Sequence, residues 1–164
     1  MKPSEIIADE CVGLLTTPLL DRFLAVVRGK NDAWADEAIH QLRKRVGTRS
    51  PRAWTIRLDE TEAPAVSARL ASGARPPTLG DLLRDPRNRQ DRLPAQALML
   101  LRDGSETLLP NGDTPLAARD RILFAGRGEA RYRMRSALLE ATVLEYLCTG
   151  RERAAGWPFA RRAG

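Results

Sequence analysis

Histidine occurs once, as His40, and cysteine twice, as Cys11 and Cys148, so the side chains on which most metal sites and nucleophilic enzymes depend are nearly absent. No Cys, Asp or Glu stands at ligand spacing around His40, which reads as a surface or boundary residue of a helix. A triad would need that sole histidine, and Ser50, Ser67, Ser72, Ser105 and Ser136 lie in no Gly-x-Ser-x-Gly elbow. The expectation is therefore a protein that is not an enzyme. The two cysteines are far apart and read as free, buried cytosolic thiols; the alternative, a disulfide, is a question of distance.

Long apolar runs are also missing. None approaches the ~18 residues that span a bilayer, and Ala97-Leu98-Met99-Leu100-Leu101 is among the longest, so this chain has no membrane span and any pore it serves lies elsewhere. The start, Met1-Lys2-Pro3-Ser4-Glu5, lacks the apolar core of a secretory signal, and with the cysteine usage the expectation is a cytoplasmic chain. There is no internal repeat and no low-complexity tract. With 164 residues, 43% hydrophobic and 29% charged, the chain has the composition of a folded globular protein with one core, or a lobe plus an accessory helical segment.

Lysine is confined to Lys2, Lys30 and Lys44, and arginine supplies nearly all of the positive charge behind the net +6. The arginines alternate with acids, as in Arg84-Asp85-Pro86-Arg87, Asp91-Arg92 and Arg119-Asp120-Arg121, which makes a weaker polyanion site than a uniform patch. Arg43-Lys44-Arg45 and Arg161-Arg162 are denser, but basic residues on a helix are more often a solvated face, so nucleic acid is not the expected partner.

What the sequence does contain is a run of strand and turn signals. Residues 98–102 read as a strand, Asp103-Gly104 as a tight turn, residues 105–109 as a second strand, and Ile122-Leu123-Phe124-Ala125-Gly126 as a third. Between them lie Pro110, Gly112-Asp113-Thr114-Pro115-Leu116 and Asp120. Gly126-Arg127-Gly128 could suggest a phosphate loop, but the sixth position is Arg131 and no βαβ unit follows, so a strand-ending turn is expected. Asp113 and Asp120 lack EF-hand spacing, and Asn111-Gly112-Asp113 is expected to supply turn and capping hydrogen bonds.

Before this run, three helices are expected: one capped by Ser4 with Ile7, Cys11, Leu14 and Leu15 on a face; one opened by Thr17-Pro18 and stopped at Gly29; and one capped by Asn31 and ended by Gly47. Residues 53–58 alternate as a half-buried strand, Pro64 opens a helix that Gly73 ends, and Thr78 caps a short helix through Leu79, Leu82 and Leu83. Residues 84–94 are polar with two prolines and read as a loop and an insertion. Residues 129–149 return to helical spacing and stop at Gly150, and the tail Trp157-Pro158-Phe159 with Arg161-Arg162 has too few basic residues for a membrane anchor.

The segment of residues 77–127, with its Arg102, Asp103-Gly104, Pro110, Gly112-Asp113-Thr114-Pro115-Leu116, Asp120 and closing apolar strand, resembles the C-terminal lobe of the regulator-of-potassium-conductance domain, or TrkA-C, of prokaryotic potassium channels and transporters. A looser resemblance reaches back to Trp54. The family usually has Gly immediately before the last Asp, where this chain has Arg119.

The resemblance implies an α+β fold: a small TrkA-C-like β-sheet lobe with packed helices over residues 48–128, preceded by a helical connecting and dimerisation segment over 1–47 and followed by a C-terminal helix and tail over 129–164. It implies a cytoplasmic regulatory domain that senses a ligand and dimerises, or joins a larger ring, and gates through rearrangement of the lobe dimer. No cofactor is evident; a nucleotide or cation is the implied class of effector. The implied crevice is lined by Leu79, Leu82, Leu83, Ala95 and Ala97, whose apolar character equally suits a ligand-free dimer core. Residues 3–28 look like connecting helices without their Rossmann lobe, which suggests a fragment of a larger subunit with a pore; the alternative is a complete protein whose helices cap its own sheet. The runner-up from another class is a basic adaptor that binds nucleic acid through its amino-terminal helices.

Overall fold

The computed structural model describes residues 18–47 and 51–151. It is an α+β protein, with six helices, a mostly antiparallel four-stranded sheet and a two-stranded sheet among those residues. No helix among them is long and apolar enough to cross a membrane. The expected Ser4 helix and the aromatic tail lie outside the described residues.

The chain groups into two compact units that do not follow chain order. Of the described residues, the first holds those up to Ile56, Pro94–Pro110 and Arg121–Arg131; the second holds Arg57–Leu93, Asn111–Asp120 and those from Tyr132 to Arg151.

The first unit begins with α1 (Pro18–Arg28) and α2 (Asp32–Val46). Both start and stop where the sequence signals them. Pro18 occupies the first helical position, and the Asn31 side chain accepts the Trp34 N–H at 2.9 Å. Gly47, at φ 86°, closes α2 with its N–H on the Arg43 carbonyl, and the Arg127 Nε donates to the Val46 carbonyl at 3.1 Å.

Strands β1 (Arg52–Arg57), β4 (Ala95–Arg102), β5 (Ser105–Leu108) and β6 (Arg121–Gly126) form the sheet in the order β1-β6-β4-β5. Asp103 and Gly104 both take positive φ, 49° and 81°, as a two-residue turn that matches strand twist requires, and Arg102 pairs with Ser105 across it. A bulge in β4 skips Leu98 between the pairs Ala97–Phe124 and Met99–Leu123. The interrupted alternation lets the neighbours Leu98 and Met99 join one cluster with Leu19, Leu20, Phe23 and Leu24 of α1. The rings of Trp54 and Phe124 stack with centroids 5.7 Å apart.

The second unit contains α3 (Pro64–Ala71), the single-turn helix α4 (Leu79–Leu82), strands β2 (Arg84–Asp85) and β3 (Asn88–Arg92), and α6 (Ala141–Thr149); α5 (Gly128–Leu139) begins in the first unit and ends in this one. Helices α3 and α4 both pack on α6, burying Val66, Leu79, Leu82, Val143, Leu144 and Leu147.

Two expectations are corrected. Residues 84–94 are not a plain loop: Arg84 pairs with Arg92 and Asp85 with Asn88 in a short hairpin. Strand β3 reads Asn-Arg-Gln-Asp-Arg and is mostly exposed, so no apolar alternation advertises it. Residues 129–149 are not one helix: Glu140 is extended, at φ −114° and ψ 115°, and separates α5 from α6. At 3.6 residues per turn a straight helix would set Leu138 and Leu147 roughly 180° apart. The break allows both to be buried.

Candidate functional site

The Gly112–Leu116 motif does its work in the second unit, along the start of α4. The Leu79 N–H donates to the Thr114 carbonyl at 2.9 Å, the Gly80 N–H to the Gly112 carbonyl at 2.8 Å, and the Leu116 N–H to the Pro77 carbonyl at 2.9 Å. A methyl group on Gly80 would meet the Gly112 carbonyl oxygen at 3.0 Å, so this close approach favours glycine there. Ahead of the motif, the Asn111 side chain accepts the Asp113 N–H at 3.0 Å, the turn hydrogen bond expected of it.

Asp120 ends the motif fully buried. Its Oδ2 accepts the Ala117 N–H and its carbonyl the Leu58 N–H, both at 2.8 Å, while the Arg119 N–H donates to the Leu58 carbonyl at 2.9 Å. Arg119 has φ 69°, so this turn is made with an arginine in the left-handed region.

Two buried carboxylates organise the arginines of this unit. Asp81 closes a reciprocal cap with Thr78, accepting the Thr78 N–H at 2.9 Å, and also receives Arg75 at 3.2 Å and Arg84 at 3.6 Å. Asp85 receives Arg87 at 3.3 Å and Arg133 at 3.2 Å. Arg75 and Arg89 reach the carbonyls of Cys148, at 2.8 Å, and Leu147, at 3.3 Å, at the end of α6, where helical carbonyls lack intrahelical donors. Gly150 then ends α6 at φ 78°. Much of the mixed-sign charge of residues 75–92 is therefore spent on internal pairs.

The five residues proposed for a crevice fall in different units: Leu79, Leu82 and Leu83 in the second, Ala95 and Ala97 in the first. All five are buried in the single chain. His40 is exposed on α2. Asp81 and Asp85 were not singled out by sequence reasoning, although Thr78-Leu79-Gly80-Asp81 has the spacing of a reciprocal cap and Asp85-Pro86-Arg87 that of a turn.

Cys148 is free and buried, and burial, helped by the Asp81 charge, pushes its thiol from 9.0 up to about 11. A raised folded-state pKa favours the protonated form in the fold. The stability this adds is fully present below the unfolded thiol's pKa and is lost as pH rises through about 11. The melting temperature should therefore fall more steeply between pH 9 and 11 than that of Cys148→Ala, and an alkylating reagent should modify Cys148 only after denaturation. Equal alkaline slopes for the two proteins would refute this assignment.

Compared with family models, curated proteins and solved structures, the chain finds no match.

Proposed function

We propose that this chain is a regulatory domain of a potassium channel or potassium transport protein, acting at the cytoplasmic face as a ligand-sensing, dimerising lobe. The observation that carries the reading is the turn at residues 117–120: the segment resembling the TrkA-C motif ends in a buried Asp120, preceded by a left-handed residue where that family has Gly. The strand, Asp-Gly turn and strand ahead of it, and the closing strand up to Gly126, support the same reading. Such a lobe needs no catalytic group. A ligand that prefers one arrangement of two lobes by about 1–3 kcal/mol would bias a pore usefully.

Light scattering on the full chain should give a dimer or larger ring. Thermal melting against cyclic dinucleotides, ATP, ADP, NADH, Ca²⁺ and K⁺ should single out one nucleotide or cation. At a hundred times its Kd, that effector adds ~2.7 kcal/mol, or roughly 5–10 °C for a chain of this size. A monomer that none of these stabilises would overturn the proposal. Stabilisation by a DNA duplex alone, fading with salt, would replace it with a nucleic-acid adaptor.

A further inference from the structure

Within the second unit, residues 58–61, one side of α3 and the 117–120 turn surround an open cleft of about 630 Å³. That volume lies in the range of small-molecule sites, about 300–1,000 Å³. Leu70, Ala71 and Ala118 give it apolar lining, and Asp59, Glu60 and Arg119 bring charge to it.

The three charged residues are not equivalent. Asp59 is engaged in the loop, its Oδ1 accepting the N–H groups of Thr61 at 3.0 Å and Glu62 at 2.8 Å, with Arg57 3.9 Å from the other oxygen. The side chains of Glu60 and Arg119 make no hydrogen bond or ion pair among the described residues, with each other or with anything else. Opposite charges thus border one cleft without neutralising each other. The backbone of Arg119 is also held at φ 69°, a conformation that glycine would occupy without strain. Its own packing gives no reason for an arginine to be there, whereas its position on the cleft does.

We propose that this cleft binds a small zwitterion of the free amino acid class, with the carboxylate on the Arg119 guanidinium, the ammonium on Glu60 and the aliphatic part against Leu70 and Ala71. A lone anion would face Glu60 and Asp59 as like charges, and a lone cation would face Arg119; only a molecule carrying both signs matches both ends. The cleft lies wholly in one unit and stands on its own geometry, so this proposal is independent of the regulatory reading.

The test is calorimetric titration of the full chain with L-leucine, L-alanine and L-glutamine, beside isoamylamine and isocaproate, which are leucine without its carboxylate and without its ammonium. At least one amino acid should saturate at millimolar concentration. Each single-charge analogue should bind about tenfold more weakly than leucine or worse, the effect of losing one charge-assisted contact. Arg119→Gly should melt at the same or a higher temperature yet lose amino acid binding by a similar factor, and Glu60→Gln should narrow the gap between leucine and isocaproate. Failure of all three amino acids to saturate, isocaproate binding as tightly as leucine, or undiminished binding by the stably folded Arg119→Gly variant would each overturn the proposal.

Discussion

Replacing Gly126 with alanine is expected to destabilise the protein by about 3 kcal/mol, lowering its melting temperature by roughly 6–12 °C. A Cβ at this position would sit 2.6 Å from the Pro94 carbonyl oxygen, 2.7 Å from the Ala95 Cβ and 2.8 Å from the Ala95 Cα. These are backbone and first side-chain atoms, with no flexible end to swing away. Gly126 pairs with Ala95 at the start of β4, and the Arg127 N–H donates to the Pro94 carbonyl at 3.0 Å, so relief requires moving one of the two central strands. Gly128, where nothing lies within 4 Å of an added Cβ, is the control. Gly128→Ala should leave the transition close to wild type. Equal melting temperatures for the two variants would show that β4 and β6 are not joined in this register.

Asp81→Ala should cost a comparable amount, about 3 kcal/mol by denaturant titration. Loss of a helix cap contributes ~1 kcal/mol, and loss of hydrogen bonds to a charged, buried acceptor ~1.5–3 kcal/mol. The arginine share is discounted because the Arg75 side chain is 51% exposed and water can replace part of what it loses. Asp81→Asn keeps an acceptor for the Thr78 N–H but no charge, and should fall between the two. A second readout separates charge from shape. Asp81 helps hold the Cys148 thiol up, so between pH 9 and 11 Asp81→Asn should lose less stability than the wild type. An alanine variant as stable as the wild type would mean that the carboxylate organises nothing.

The parts of this fold that were legible in the sequence are those specified by local chemistry. Pro18, Asn31 and Gly47 delimit two helices because each acts on its own backbone or on that of the next turn. Asp103-Gly104 specifies its turn because both residues tolerate positive φ better than most. What escaped the sequence depends on partners distant in the chain. The β2–β3 hairpin relies on Arg133, Tyr146 and Leu147, which reach it from the last two helices. The break at Glu140 answers a need to bury two apolar stripes that no single straight helix could satisfy. The cleft is similar: Glu60 and Arg119 are 59 positions apart, and hydrogen bonds that tie Leu58 to Arg119 and Asp120 bring their segments together.

The position of β5 at the margin of the sheet has a consequence for association. It is only four residues long, reads Ser-Glu-Thr-Leu, and carries the Glu106 carboxylate in an ion pair with Arg22 of α1. An approaching strand would find few free backbone groups there and would have to displace a charged pair to reach them. Short length and charge are the means by which natural sheets prevent uncontrolled growth at their margins. On this side, copies of the protein are poorly suited to join by extending the sheet, and a specific assembly must use side-chain surfaces that can be made selective.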